Sequence, residues 1–233
     1  PGYYGFYLYY NKNIKVLNNE INTTQSSYAY GIYGWYLDGG TEISGNKGSM
    51  TNKTSSVYPI YLYNCDGTST NPVKVENNDF YVRGSSSIYP VYHSYCNYLT
   101  YKGNKIDAYS TGFYSYGYVY LSNYGGNNTT EENDITSNVN YYSWVYGIYR
   151  SNGSKLLKNK INITVRTYYL YSYALYYSNN AEASGNEMNL NGYRACYNYM
   201  PYGSSNYVVS NNKIDAYSQT ARVRRKLNKR HCR

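Results

Sequence analysis

Helical patterning is missing from this chain. No stretch of its 233 residues spaces apolar side chains at i, i+3, i+4 and i+7, so almost no helix is expected. Large aliphatic residues are sparse and Phe occurs three times, which removes the usual Leu- and Ile-rich core and would by itself suggest disorder. Histidine is limited to His93 and His231, and the four cysteines form no CxxC pair, so neither a zinc nor a haem site is expected and no cofactor is implied. No apolar run is long enough to span a membrane. Charge on the body is low as well. Seven of the 22 basic residues lie in Ala221–Arg233, which leaves 15 basic against 13 acidic residues elsewhere. That balance argues against specific nucleic-acid binding by the body.

What is abundant is tyrosine, 40 residues of 233, set in a repeat. An Asn followed by a charged residue recurs eight times in a regular series: Asn19-Glu20, Asn46-Lys47, Asn78-Asp79, Asn104-Lys105, Asn133-Asp134, Asn159-Lys160, Asn186-Glu187 and Asn212-Lys213. The intervals are 27, 32, 26, 29, 26, 27 and 26 residues. A period of that length marks a stacked architecture whose single unit cannot bury its own apolar face. A second phrase keeps the same beat, as in Tyr30-Gly31-Ile32-Tyr33, Tyr58-Pro59-Ile60-Tyr61 and Tyr146-Gly147-Ile148-Tyr149. Short β-like segments separated by Gly, Asn, Ser and Thr predict an all-β, right-handed parallel β-helix of about eight coils over residues 1–218, with 219–233 a flexible basic tail. The chain opens inside a repeat and without Met, and is expected to be a piece of a longer protein.

Side chains alternate across a strand, so the Asn motif assigns faces. With Ile21 and its equivalents inward, the Asn residues also face in, and the column two residues on (Thr23, Met50, Val82, Ala108, Ser137, Ile163, Leu190, Ala216) is mostly small or apolar. Stacked Asn side chains are expected to bond one another and the backbone along the axis, a structural role. The outward column reads Glu20, Lys47, Asp79, Lys105, Asp134, Lys160, Glu187, Lys213, alternating in sign at every coil. With coils ~4.8 Å apart this favours one register and penalises a slip by one coil.

The tyrosine phrase, aligned coil by coil, puts Phe6, Ile32, Ile60, Val91, Tyr118, Ile148, Leu175 and Cys196 inward. It puts Tyr7, Tyr33, Tyr61, Tyr92, Val119, Tyr149, Tyr176 and Tyr197 outward. The seven tyrosines of that outward set stabilise stacked strands, and they equally offer a platform for sugar rings, a cell wall or another protein.

Cys65 and Cys96 occupy similar places in adjacent coils, compatible with a disulfide or with two buried thiols. Six Asn-x-Ser/Thr sequons begin at Asn22, Asn52, Asn127, Asn128, Asn152 and Asn162, about the number this composition yields by accident.

The Asn-x-Ile and Gly-Ile-Tyr phrases at a period near 27 resemble the parallel β-helix regions of microbial surface proteins, most of all the adhesin-like proteins of methanogenic archaea. That resemblance implies a place outside the cell or on its surface. Three functions follow, the first the one expected and the other two its alternatives. A non-catalytic structural or adhesive element, a stalk or fibre subunit, would have itself as partner, end to end or within a longer solenoid, and cell-wall or host glycans as ligands. A carbohydrate-binding module is the second. A β-helix polysaccharide lyase or glycosidase is the third, but it needs two or three carboxylates together on one outer face. Here the acidic members of the charge column lie two coils apart with a lysine between, and Glu131-Glu132 with Asp134 follow a Gly-Gly-Asn-Asn loop.

Overall fold

A computed structural model describes residues 2–220 and 223–227. Among the described residues there are 25 strands and no helix. They form three parallel sheets, of nine, eight and eight strands, in which every neighbour is the corresponding strand of the next coil. The chain is thus a β-solenoid of about eight turns with about 27 residues per coil, as the repeat predicts. One sheet runs from Tyr3–Tyr9 to Val223–Leu227 and carries most of the tyrosine. A sheet of short strands runs from Lys15–Leu17 to Val208–Ser210. The third runs from Glu20–Gln25 to Lys213–Ser218 and carries the charge column.

Two of the three corners are turned by residues with left-handed backbone. Between the tyrosine sheet and the short sheet the first of these is Tyr10, Tyr36, Asn64, Tyr95, Tyr124, Arg150 or Tyr177, with φ between 46° and 56°, and most coils add a second, such as Asn13, Tyr98, Asn127 or Asn180. Immediately before each ladder Asn they are Asn18, Gly45, Asn77, Gly103, Glu132, Lys158, Gly185 and Asn211. Asn and Gly tolerate this conformation best, and they fill six of those eight places. The two exceptions, Glu132 and Lys158, sit on adjacent coils and pair at 3.5 Å.

The corner that follows holds the Asn ladder, with every bond the inward assignment requires. Asn104 donates from both its backbone N–H (2.9 Å) and its side-chain Nδ2 (3.0 Å) to Oδ1 of Asn133. Asn133 repeats this to Asn159 at 3.1 and 2.8 Å. The second Nδ2 hydrogen goes to a carbonyl of the preceding coil, Val75 for Asn104 and Tyr101 for Asn133, both at 2.9 Å. The same pattern links Asn19, Asn46, Asn78, Asn159, Asn186 and Asn212. The buried amides of this ladder are therefore satisfied, which a polar residue in an apolar interior requires.

Inside, the expected columns are in register: Ile21, Gly48, Phe80, Ile106, Ile135, Ile161, Met188 and Ile214 stack coil upon coil. Phe80, Ile106, Ile135, Ile161 and Met188 are fully buried, Ile21 nearly so, and Gly48 and Ile214 partly. Cys65 and Cys96 are free, buried thiols on neighbouring coils. Burial first, and then Cys65 beside it, push the thiol of Cys96 well up. The sequon residues Asn52 and Asn128 are buried. Within the segment expected to be a tail, Val223–Leu227 pairs with Ala195–Met200 and adds a ninth strand to the tyrosine sheet. Ala221, Arg222 and 228–233 lie outside the described residues.

Candidate binding face

The outer face of the tyrosine sheet carries three aromatic columns rather than one. The first runs Tyr4, Tyr30, Tyr58, Tyr89, Tyr118, Trp144, Tyr171, Tyr197 without a break. Its neighbouring rings lie 4.3–6.0 Å apart and within 15° of parallel. The second runs Tyr7, Tyr33, Tyr61, Tyr92, Tyr120, Tyr146, Tyr173 in backbone register. It stacks at 4.6–5.1 Å as far as Tyr92, turns edge-on at Tyr120 (71°), and resumes at 5.2–5.3 Å. Rings of the two columns meet edge to face, as Tyr30 and Tyr33 do at 86°. Offset stacks and edge contacts of this kind are each worth about 0.5–1.5 kcal/mol beyond the area they bury. So tightly do the rings cover one another that Tyr33 and Tyr58 are only 9 % exposed on an outer face.

The third column reads Tyr9, Trp35, Tyr63, Ser94, Asn123, Tyr149, Tyr176. The seven tyrosines expected to form one ladder are therefore shared among three. Tyr7, Tyr33, Tyr61 and Tyr92 belong to the second column, Tyr149 and Tyr176 to the third, and Tyr197 to the first. Tyr118 and Val119 are also exchanged relative to expectation, for Tyr118 stacks outside and Val119 is fully buried.

The physical cause is a step in which two successive residues both turn in. In the second to fourth coils the buried pairs are Gly31-Ile32, Pro59-Ile60 and Pro90-Val91, between the first and second columns. In the fifth to seventh they are Leu121-Ser122, Gly147-Ile148 and Ala174-Leu175, between the second and third. A Tyr-Gly-Ile-Tyr phrase flanks the step wherever it lies, so identical phrases fall in different columns. The shift happens where Ser87–Ser94 pairs with Tyr116–Asn123, and the register slips twice across that pair. The strict alternation Tyr118-Val119-Tyr120 was the sequence signal for the change.

Burial, with neighbouring phenols adding, raises the pKa values of several tyrosines on this face. Tyr30, Tyr33 and Tyr118 are each pushed up to about 12, and Tyr58, Tyr61, Tyr120 and Tyr146 higher still. The face is thus uncharged at physiological pH. Among the described residues, the Arg150 guanidinium borders it, 5.4 Å from the Tyr124 ring and 5.6 Å from that of Tyr149, and Arg194 lies 4.3 Å from the Tyr168 ring.

On the third sheet the charge column is in register through all eight residues. Each lysine bridges the acid of the preceding coil: Lys47 to Glu20 at 3.6 Å, Lys105 to Asp79 and Lys160 to Asp134 at 3.7 Å, Lys213 to Glu187 at 3.5 Å. Glu131 and Glu132 are likewise held by Lys102 and Lys158. Among the described residues no group of three or more His, Cys, Asp or Glu side chains is placed to hold a metal ion, and no helix is long and apolar enough to cross a membrane.

Comparison with protein-family models, curated proteins and solved structures finds no match to this chain.

Proposed function

We propose that the protein is a non-catalytic structural and adhesive element, a stalk segment or fibre subunit working outside the cell. The observation that carries this reading is the aromatic face: three columns of rings tile one long side of a solenoid built for axial regularity. Tyrosine on such a face provides large contact area with a polar tip, the combination used where one surface must hold another in water. Self-association along the axis is the second part of the reading. Val208 is 54 % exposed and Leu17 38 % at the outermost coils, beside strand edges that template pairing. The extracellular setting is carried only by the resemblance to microbial surface repeats.

Negative-stain electron microscopy across a concentration series tests it. Filaments with an axial repeat near eight coils, ~38 Å, would mark a fibre subunit. Short rods that bind isolated cell walls through the tyrosine face would mark a stalk or adhesive module. Single rods at every concentration that bind no surface, or that bind one equally well after tyrosine removal, would end the proposal. A carbohydrate-active enzyme remains the competing reading, and polysaccharide breakdown by the purified chain would establish it instead.

A further inference from the structure

The third aromatic column has a gap. Where Tyr63 below and Tyr149 above present rings, the fourth and fifth coils present Ser94 and Asn123, 2 % and 7 % exposed. The gap coincides with the double register slip and with the one break in the second column, where Tyr120 turns edge-on to Tyr92. Bulged strands commonly re-aim side chains beside functional sites. Together these leave a notch of about 370 Å³, walled by Tyr63, Tyr92, Tyr120 and Tyr149 and floored by Ser94 and Asn123. That volume falls within the ~300–1,000 Å³ of small-ligand sites.

The floor is poised to accept a hydrogen bond. Asn123 donates from Nδ2 to Ser94 Oγ at 3.1 Å, while its Oδ1 is buried and has no partner in the protein. A buried acceptor left empty costs about 1–3 kcal/mol, so a donor that reaches Oδ1 through a small turn of the Asn123 side chain would be rewarded. No charged side chain lines the notch, and burial holds Tyr92, Tyr120 and Tyr146 in their neutral forms. Arg150 stands against the Tyr124 and Tyr149 rings that line the notch, 5.4 and 5.6 Å from their centres, so these walls favour an occupant without positive charge, flat enough on one side to lie against tyrosine, and able to donate from an edge. A pyranose meets all three conditions, with an apolar C–H face and hydroxyls around its rim.

We propose that the notch binds one neutral sugar ring of a glycan, stacked on the surrounding tyrosines and donating a hydroxyl proton to Asn123 Oδ1. This deepens the adhesive reading above and rests on it. The test is calorimetric titration and saturation-transfer NMR of the full chain with maltohexaose, cellohexaose and chitohexaose. At least one should bind with a single site per chain. Asn123→Ala should weaken it about fivefold, the worth of one neutral hydrogen bond. Asn123→Tyr, which restores the column's usual residue, should abolish it. Tyr33→Ala, in the uninterrupted part of the face, should change it by less than about twofold. Thermal melts of each variant show that it is folded, and Asn123→Ser serves if Asn123→Ala is not. Absence of binding to every hexaose overturns the proposal, as does equal binding by all variants or preferential binding of indole in the notch. If the hexaoses fail while cell walls are still bound, the adhesive reading survives and only the notch is refuted.

Discussion

The imidazole of His93 lies fully inside the solenoid, with neither nitrogen partnered and the unpartnered phenol of Tyr101 beside it, 5.3 Å between ring centres. Desolvation lowers its pKa from 6.5 to about 3. The folded state therefore refuses a proton that the unfolded chain accepts. Full stability is present above about pH 6.5 and falls as pH drops towards 3, by at most about 1.4 kcal/mol per pH unit from this group. The residue one coil earlier in the same register is Leu62, which is fully buried. His93→Leu should thus flatten the pH dependence between 6 and 4 and raise the melting temperature at pH 5. Chemical denaturation at several pH values checks this, and an unchanged acid slope would locate the sensitivity elsewhere. Nothing in the sequence gave His93 away, because its inward orientation depends on the step whose position shifts beside it.

Among the elements, the two ladders were read from the same three-residue motif and both were legible, since a tight corner followed by a six-residue strand leaves no room for the register to drift. Their energetic weights differ. Asn133→Ala would strip Asn104 of the acceptor for two donors and leave the carbonyl of Tyr101 and Oδ1 of Asn159 short of a partner, all in a dry interior. The expected loss is about 3–5 kcal/mol, read from denaturant midpoints. Charged pairs on the neighbouring outer column are solvated and worth less. Asp79 and then Asp107 raise the pKa of Lys105, so its cation is favoured where it sits. Lys105→Glu would set three acids of successive coils side by side and should lower the melting temperature, whereas Lys105→Arg should not. Equal melting of the two would mean the alternation has no energetic role. The tyrosine phrase was the illegible element. Its wording recurs between coils while the inward step beneath it moves by one column, and apart from the alternation Tyr118-Val119-Tyr120 only pairing across the irregular coils reveals the move.

At the scale of the molecule, the aromatic face adds to a slender core of stacked Ile, Leu and Val that the sparse aliphatic residues do fill, and this addition carries its own liability at high pH. An unfolded tyrosine ionises near pH 10. On the folded face, burial first and neighbouring phenols second push Tyr30, Tyr33 and Tyr118 up to about 12, with Tyr58 and Tyr61 beyond that. A raised folded-state pKa favours the protonated fold, so the contribution is complete below pH 10 and lost as pH rises through 12. Many rings share the shift, so the loss should be steep and cooperative. Ionising one phenol in a stack also places a charge against its neighbours. The prediction is alkaline unfolding in which phenolate absorbance and the far-ultraviolet β signal change together, well above pH 10. Phenolate absorbance that is complete near pH 10 with the β signal intact would show that the rings are individually solvated and that the stack contributes little to holding the coils together.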